Sequence, residues 1–456
     1  MAIATTNPAT GQTVRTFDEL TAEEIERKLQ LAADTFRSYR GTGFSERAGL
    51  MRRAADIFEA ETDELARLAT LEMGKTFASA QAEVGKCAAG CRWYADHTEE
   101  LLADLPHEMD GARVFTRYEP LGPVLAVMPW NFPYWQVVRF AAPALMAGNV
   151  GLLKHASNVP QVALAIEDVF ARAGFPDGAF QTLLVSSGAI EKILDDDRVR
   201  AVTLTGSEPA GRAVGARAGQ NIKPSVLELG GSDAFIVMPS ADLEDAAANA
   251  VASRTLNNGQ SCINAKRFIV HEQVAEEFER LVVGRMEAMK VGDPMSPDTD
   301  MGPLSSADAV ETLDDQVQQA ISAGGRLLTG GKPLAGEGAF YPPTLIADIP
   351  REASIAREEF FGPVALMFRA ADVDDAIRIA NDSPFGLGGS AWTADTAEQQ
   401  RFVNEVDTGM IYINHFTESR PAVPFGGVKN SGYGRELAGF GPRSFVNAKT
   451  VWIDGG

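Results

Sequence analysis

Cysteine, histidine and long apolar runs are all scarce in this sequence. It holds 3 cysteines and 5 histidines in 456 residues. So few cysteines, with no secretory signal, predict a cytoplasmic protein without a disulfide framework. No Cys/His cluster has zinc-site spacing, so we expect no bound metal. No apolar run reaches the roughly 18 residues of a membrane span, so we expect no membrane partner.

Positively charged residues are also fewer than negatively charged ones. Lysine and arginine number 41 against 62 aspartates and glutamates, which gives a net charge of −21. This balance disfavours binding to nucleic acid or to an anionic membrane surface. The length is too great for one simple core and predicts two or three domains.

Short apolar runs alternate with helical patterns from Val124 onward, after a first hundred residues that look mostly helical. The alternation predicts a parallel, doubly wound α/β sheet with ligands at the carboxyl ends of its strands. The predicted strands of this region are Val124–Met128, Gly151–Lys154, Phe180–Val185, Ala201–Thr205, Ser225–Leu229 and Ala234–Met238. A second α/β region follows Pro239, and Thr450–Ile453 near the end could form one more strand.

A lone cysteine stands out in the stretch 257–262, Asn-Asn-Gly-Gln-Ser-Cys, between a glycine-containing turn and an apolar run. A thiolate is a strong nucleophile at neutral pH when it is stabilised and accessible, so Cys262 is a candidate catalytic group. A buried structural cysteine is the alternative, and by itself this stretch does not exclude it.

Two further stretches offer groups that a nucleophile needs. Asn131, in Pro-Trp-Asn-Phe-Pro directly after a predicted strand, could donate to a developing oxyanion, or it could satisfy turn backbone. Glu228, in Leu-Glu-Leu-Gly-Gly, is a carboxylate in an apolar run, where burial raises the pKa toward that of a general base. An ion pair at a strand end is the other interpretation of Glu228.

Two stretches are candidates for a dinucleotide site. Lys154 ends a predicted strand, where a ribose or phosphate would lie, although most lysines in such positions are only solvated. Thr205, Gly206 and Ser207 form a strand–turn–helix whose exposed amides could hold a pyrophosphate. The glycine spacing is wider than in GxGxxG, so this signal is weak alone.

In order, these motifs resemble the aldehyde dehydrogenase superfamily over essentially the whole chain. The series is completed by Lys-x-x-Ser from Lys154, Asn-x-Gly-Gln-x-Cys ending at Cys262, Glu-x-Phe-Gly-Pro from Glu359 and Pro-Phe-Gly-Gly-x-Lys from Pro424. A finer likeness, from Met128 through Pro160, is to the shorter bacterial succinate semialdehyde dehydrogenases. The resemblance implies an aldehyde-dehydrogenase-like α/β fold with a Rossmann-type cofactor domain.

The resemblance also implies roles for matched positions. Cys262 would attack the aldehyde, Asn131 and the Cys262 amide would hold the oxyanion, and Glu228 would activate water against the thioester. Hydride would pass to a nicotinamide. The implied cofactor residues are Trp130, Lys154, Ser157, Gly206, Ser207, Leu229, Glu359 and Phe361.

Cofactor and substrate preference rest on a few of these positions. NAD-preferring relatives often carry glutamate where this chain has Ser157, and a serine there accommodates a 2′-phosphate, so we expect NADP⁺ to be preferred with NAD⁺ also accepted. For the substrate, Arg139 would pair with the distal carboxylate of succinate semialdehyde, Ser419 would donate to it, and Trp135 and Phe425 would form apolar walls. One departure weakens this: the second arginine of some such enzymes is Leu256 here.

The implied architecture has three parts. They are a dinucleotide-binding domain of residues 1–102 and 121–230, a catalytic domain of 231–443 and an oligomerisation element of 103–120 and 444–456. We expect a homodimer or homotetramer. The open alternatives are another small aldehyde, such as glutarate semialdehyde or a simple aliphatic one, an acyl-CoA-forming dehydrogenase, a cofactor-free thiol hydrolase that uses Cys262 and Glu228, and a non-catalytic protein on the same fold.

Overall fold

The computed structural model describes residues 2–454 and has a mixed α/β fold. Its helices are α1 Ala22–Tyr39, α2 Phe44–Ala60, α3 Thr62–Met73, α4 Phe77–Leu101, α5 Trp135–Met146, α6 Pro160–Arg172, α7 Ile190–Asp195, α8 Glu208–Gln220, α9 Leu243–Thr255, α10 Ala275–Glu287, α11 Ala307–Ser322, α12 Val373–Asn381, α13 Thr396–Glu405 and α14 Phe440–Arg443. Short 3₁₀ helices lie at Ser187–Ala189, Leu256–Gly259 and Ser354–Arg357. Within residues 2–454, no helix combines the length and apolar character needed to cross a bilayer.

Strands form two large sheets and three small ones in the described part of the chain. They are β1 Ile3–Thr6, β2 Thr13–Phe17, β3 Leu105–His107, β4 Ala112–Pro120, β5 Pro123–Met128, β6 Val150–His155, β7 Phe180–Thr182, β8 Ala201–Thr205, β9 Ser225–Glu228, β10 Asp233–Val237, β11 Ala265–His271, β12 Arg326–Thr329, β13 Thr344–Ala347, β14 Val364–Ala370, β15 Phe385–Gly386, β16 Gly388–Trp392, β17 Met410–Ile413, β18 Val428–Lys429, β19 Gly432–Tyr433 and β20 Val446–Asp454.

The first large sheet has the strand order β19-β9-β8-β5-β6-β7. Its pairings are parallel except for β19, which runs antiparallel to β9. β5 and β8 are apolar and almost wholly buried because helices cover both faces of the sheet. The predicted parallel α/β sheet is thus confirmed, with strand bounds that differ by no more than three residues.

The second large sheet has the order β12-β13-β14-β11-β10-β16-β17. Side chains of each strand alternate between its two faces, as the pleat requires. On β11, Phe268 and Val270 pack into one apolar cluster, whereas Ile269 packs into another on the opposite face. The sheet therefore supports a core on each side, and the Cys262 loop enters it through β11.

The small sheet β20-β4-β3 is built from the last described strand and the segment before β5. β20 pairs antiparallel with β4 along its full length, from Val446 opposite Pro120 to Asp454 opposite Ala112. The strand predicted at Thr450–Ile453 is confirmed. Of the predicted oligomerisation element, Gly455 and Gly456 lie outside the described residues.

Two details were not predicted from the sequence. The first hundred residues are mostly helical, as predicted, but β1 and β2 pair before the first helix. In addition, Gly432–Tyr433 falls in the predicted catalytic domain but forms the edge of the first sheet. The three-part division itself stays a prediction.

Candidate active site

Three of the predicted motifs meet at the carboxyl edge of the first sheet. Trp130 and Asn131 follow β5, Gly206 and Ser207 follow β8, and Glu228 ends β9. β8 lies between β5 and β9, and Thr205 pairs with Glu228 in register. Because parallel strands end on one side of a sheet, residues about 100 positions apart become neighbours.

A cleft of about 290 Å³ opens at this edge. Eight of the predicted residues line it: Trp130, Asn131, Gly206, Ser207, Leu229, Cys262, Glu359 and Phe361. The Trp130 and Phe361 rings pack edge to face, with centroids 5.8 Å apart, and form an apolar wall. The structure therefore places the predicted nucleophile, the oxyanion donor and most of the cofactor residues in one cavity.

Lys154 and Ser157 lie beside this cleft rather than in its walls. Lys154 is in β6, opposite Val127 of β5, and Ser157 follows the end of the same strand. Burial lowers the pKa of Lys154. Both residues are only half-buried, so they can reach a ligand that extends along the strand ends from the cleft.

The loop that carries Cys262 has a specific backbone requirement. Asn257, Asn258 and Gly259 all have positive φ, at 58°, 57° and 76°. Asparagine tolerates this region because its side chain bonds locally, and glycine has no Cβ penalty. A Cβ on Gly259 would collide with the backbone of Gly362 and Pro363. The Asn-Asn-Gly run is therefore what allows the loop to adopt this shape.

Side chains then fix the loop to the rest of the site. The amide nitrogens of Asn257 and Asn131 donate to the carbonyls of Asn131 and Gln260, at 2.8 and 3.1 Å. The Lys266 ammonium donates to the carbonyls of Ser261 and Cys262, each at 2.8 Å. These bonds hold Asn131 and Cys262 in a fixed relation, as a shared oxyanion site needs.

Burial dominates the electrostatic surroundings of the Cys262 thiol. Burial raises its pKa to about 12, and the positive charges of Lys266 and Arg139 only partly oppose this. The thiol is consequently protonated at neutral pH. Attack on a carbonyl then requires a base that takes the proton as the bond to sulfur forms.

Glu228 has the surroundings of a general base. It is buried, and among the described residues neither carboxylate oxygen has a hydrogen-bond partner. Burial raises the pKa of Glu228 well above its usual range, and the nearby negative charge of Glu436 adds to this. Arg139 and Arg435 act in the opposite direction. A carboxyl group with a raised pKa accepts a proton more readily when it is ionised.

Arg139 is already engaged with the Glu436 carboxylate. Nε of Arg139 lies 2.5 Å from Glu436, a close charge contact without good hydrogen-bond geometry, and one terminal nitrogen donates to Thr205 at 3.2 Å. The guanidinium also stacks over Phe425 at 4.5 Å. Its charge is thus partly balanced by a buried partner, and its role as carboxylate anchor stays a prediction.

The remaining predicted substrate residues do come together. The Trp135 indole donates to the Ser419 hydroxyl at 2.9 Å, and both residues are buried. Phe425 is also buried, and it packs against Arg139, which lies one helical turn after Trp135 on α5. Leu256 is 41% exposed, and the neighbouring Arg254 is buried and donates to the Gly259 carbonyl, so neither offers a second anchor.

Almost the whole sequence matches the model of one protein family. A family model described as "Aldehyde dehydrogenase family" matches residues 1–451. The chain belongs to the aldehyde dehydrogenase family.

Curated and solved relatives of this aldehyde dehydrogenase agree with the assignment. A protein of Mycobacterium avium (strain 104) named succinate-semialdehyde dehydrogenase (NADP(+)) is 59% identical over 99% of this chain and 97% of its own length. One of Mycobacterium tuberculosis (strain H37Rv) with the same name and the number 1 is 58% identical over 99% and 100%. The structure of succinic semialdehyde dehydrogenase from Streptococcus pyogenes in complex with NADP⁺ matches with a TM-score of 0.97 at 37% identity, covering 99% of both chains.

The fold of this aldehyde dehydrogenase does not by itself fix the substrate. A 3,6-anhydro-L-galactose dehydrogenase matches with a TM-score of 0.95 at 30% identity, covering 99% of this chain and 96% of its own. Residues that line the cleft must therefore decide which aldehyde is bound.

The sequence-based prediction did not include three residues of the candidate site of this aldehyde dehydrogenase. Lys266 holds the cysteine loop, Glu436 faces Glu228, and Lys86 of α4 contacts Ser419. Lys266 follows Cys262 closely, at a strand position where a buried charge is rare. This unusual position could have identified Lys266 from the sequence. Glu436 and Lys86 gave no local signal.

Proposed function

We propose that this aldehyde dehydrogenase oxidises succinate semialdehyde to succinate, with NADP⁺ preferred and NAD⁺ also accepted. The observation that carries the proposal is the single cleft that Cys262, Asn131 and the Gly206–Ser207 turn share. The relatives at 58–59% identity that are named for this reaction supply the substrate.

Cys262 and Asn131 are assigned to the first half of the reaction. The sulfur forms a bond to the aldehyde carbon while its proton leaves toward a base. The Asn131 amide and the backbone N–H of Cys262 stabilise the negative charge on the former carbonyl oxygen. The loop contacts described above keep these donors in place without reorganisation.

The cleft has the features that a dinucleotide needs. Ser207 caps α8 without making a side-chain hydrogen bond, so the helix N-terminus is free for a pyrophosphate. Gly206 has no side chain to block the approach, and Trp130 and Leu229 form apolar walls. Lys154 and Glu359 would bind ribose hydroxyls. When bound, NADP⁺ supplies the hydride acceptor.

Glu228 is assigned to the second half of the reaction. The ionised carboxylate takes a proton from a water molecule, whose oxygen attacks the thioester carbon and releases the acid and the Cys262 sulfur. Glu436 and Arg139 would tune the proton affinity of Glu228 through their charges. A thiol hydrolase needs no cofactor, so that function would not explain the cleft beside α8.

A panel of aldehydes with both cofactors tests the proposed function. We expect kcat/KM for succinate semialdehyde to exceed that for butanal by about 30-fold or more, since a paired carboxylate contributes at least about 2 kcal/mol. NADPH formation at 340 nm is the measurement. A higher kcat/KM for butanal, or for NAD⁺ as cofactor, would contradict the proposal.

Replacing Ser157 by glutamate tests the cofactor preference. A carboxylate beside the 2′-phosphate would repel it, so the ratio of kcat/KM with NADP⁺ to that with NAD⁺ should fall about 100-fold. Ser157→Ala is the matched control, because it removes the hydroxyl without adding charge and should change the ratio far less. An unchanged ratio in Ser157→Glu would remove Ser157 from the cofactor site.

We also propose that the chain forms a homo-oligomer in the cytoplasm through the edge of β20. This strand lies at the end of its small sheet, and Trp452 and Ile453 on it are 55% and 47% exposed. An edge strand with exposed apolar side chains favours pairing with another copy of the chain.

A further inference from the structure

The turn between α3 and α4 begins at Gly74 and contacts the loop that carries Cys262. In that loop, the Asn258 amide nitrogen donates to the carbonyls of Gly74 and Pro303, at 2.9 and 2.8 Å. The Asn258 amide oxygen accepts the backbone N–H of Gly302 at 2.9 Å. Gly74 has a φ of 87°, and a Cβ on Gly302 would lie 2.2 Å from the Gly74 carbonyl oxygen. The turn therefore has a fixed place against the Cys262 loop.

The next residue, Lys75, extends to the loop that carries Asn131. Its side chain is fully buried, and its ammonium lies 4.2 Å from the centroid of the Phe132 ring. The ammonium is also paired with the Glu83 carboxylate of α4. One short turn thus contacts the loop of the nucleophile through Gly74 and the loop of the oxyanion donor through Lys75.

Glu83 extends this arrangement to the start of α5. Its other carboxylate oxygen accepts the backbone N–H groups of Tyr134 and Trp135, at 2.8 and 2.9 Å. The first N–H groups of a helix have no partner within the helix, and the Tyr134 side chain makes no capping bond here. A carboxylate at this end also interacts favourably with the helix dipole. Glu83 therefore caps α5 from a neighbouring helix.

The segment between β5 and α5 is consequently held at both ends. Met128 pairs with β6 in the first sheet, whereas Glu83 and Lys75 hold the other end. Asn131 lies between these two attachments. One N–H of its amide donates to the Gln260 carbonyl at 3.1 Å, and an amide group has a second N–H. That second N–H is the donor assigned to the oxyanion, and its direction depends on where the segment is held.

The burial of this ion pair is not accounted for by stability. The Lys75 and Glu83 side chains are only 0% and 2% exposed, and removing two charges from water is strongly unfavourable. Apolar side chains of similar volume often give an equally stable or more stable protein. Neither side chain lines the cleft, so neither touches a bound substrate or cofactor there. What the pair does provide is a fixed connection between the turn, the Asn131 loop and α5.

We propose that Lys75 and Glu83 are positioning residues that hold Asn131 at the distance from Cys262 that oxyanion stabilisation requires. The inference rests on the proposed function and deepens it, because it names the groups that keep the oxyanion site in place. The pair takes no part in proton or hydride transfer. It acts through the two loops, since stabilisation by preorganised donors depends on their placement before the reaction begins.

The double variant Lys75→Met/Glu83→Gln removes both charges together, so that neither is left buried alone. The glutamine oxygen can still accept the N–H groups of α5, so the helix keeps its cap. We expect the rate of the first turnover to fall about 30-fold, because a small displacement of a catalytic group has a large cost. A stopped-flow trace of NADPH formation at 340 nm is the measurement. Kd for NADP⁺, from quenching of tryptophan fluorescence, should change by less than about 2-fold.

Combination with Asn131→Ala distinguishes positioning from a general loss of structure. Asn131→Ala alone should lower the first-turnover rate by about 100-fold or more, as the loss of an oxyanion donor does. In that background, Lys75→Met/Glu83→Gln should cost less than about 3-fold, because the amide that the pair positions is gone. Losses that multiply in the triple variant would show that the pair acts elsewhere and would overturn the inference.

Glu72→Gln is the matched control for the change at Glu83. Glu72 is also buried and accepts the backbone N–H groups of Gln161 and Val162 at the start of α6, each at 3.0 Å. This variant should lower the melting temperature and keep the first-turnover rate within about 3-fold. A loss as large as that of the double variant would mean that any buried helix cap has this effect, which would contradict a specific role for Glu83.

The remaining outcomes are also decisive. If the double variant does not fold, Lys75→Met alone takes its place, since the Glu83 carboxylate keeps its two backbone N–H donors. A folded variant with an unchanged first-turnover rate, or with a loss that weaker NADP⁺ binding explains, would overturn the inference. The proposed function fails separately, if the unaltered enzyme does not oxidise succinate semialdehyde. The same set of variants is then measured with the aldehyde of the panel that it oxidises fastest.

Discussion

Replacing Cys262 by serine is expected to lower aldehyde-dependent NADPH formation by about 10⁴-fold or more. Serine has nearly the same size, but its hydroxyl is a far weaker nucleophile than a thiolate. Nothing else in the cleft can take over, since its other described walls carry two amides, a carboxylate, hydroxyls, glycines, proline and apolar side chains. Absorbance at 340 nm with succinate semialdehyde and NADP⁺ is the measurement.

Cys91→Ser is the matched control for this change. Cys91 is fully buried on α4, and burial raises its pKa to about 12, as for Cys262. It faces no cleft, so the control should keep its activity within a few-fold while its melting temperature reports the cost of a buried hydroxyl. Full turnover by Cys262→Ser would mean that another group performs the chemistry.

Glu228→Gln should separate the two halves of the reaction. The amide cannot accept a proton from water, so steady-state turnover should fall by about 10²- to 10⁴-fold. We expect the first half to continue, because solvent can take the thiol proton. The result is a burst of about one NADPH per active site, followed by a slow phase, which a stopped-flow trace at 340 nm records.

A second buried glutamate provides the control for Glu228→Gln. Glu72 is fully buried, and burial raises its pKa to about 7, but it bonds to Thr5, Gln161 and Val162 away from the cleft. Glu72→Gln should affect stability without producing a burst. Loss of the burst together with turnover in Glu228→Gln, at a normal melting temperature, would place Glu228 in the first half of the reaction as well.

The sequence predicted the centre of the fold well because its strands are continuous apolar runs with clear turns between them. β5 and β8 were found to within one residue for this reason. The start of the chain was predicted less well. β1 and β2 are short and rich in threonine, and they are stabilised by pairing with each other and by the contacts of β1 with α3 and α6.

The candidate site also shows that local sequence patterns do not reveal contacts between residues far apart in the chain. Cys262, Asn131 and Glu228 stand in distinctive stretches. The structure places Cys262 and Asn131 in one cleft, and Glu228 directly precedes Leu229, which also lines it. Lys86 is a charged residue in a helix with other charges, so its pattern resembles that of a solvated face. Only the packing of α4 on α5 brings it to Ser419, 333 positions away in the chain.

The same limit explains why the sequence did not reveal the ion pair of Arg139. Its guanidinium lies over Phe425, one of the predicted substrate residues. Its partner Glu436 is nearly 300 residues away, and the pairing arises because Glu436 and Phe425 bridge through their backbones. A sequence pattern cannot show that a charge is already neutralised by so distant a residue.

The antiparallel pairing of β19 with β9 has a consequence for biosynthesis. The segment that completes the first sheet and delivers Glu436 to the active centre is translated after nearly all of the other strands. A nascent polypeptide on the ribosome therefore carries its thiol, its amide and its helices well before the neighbourhood of Glu228 is assembled. The surroundings of Glu228 are consequently among the last parts of the protein to assemble.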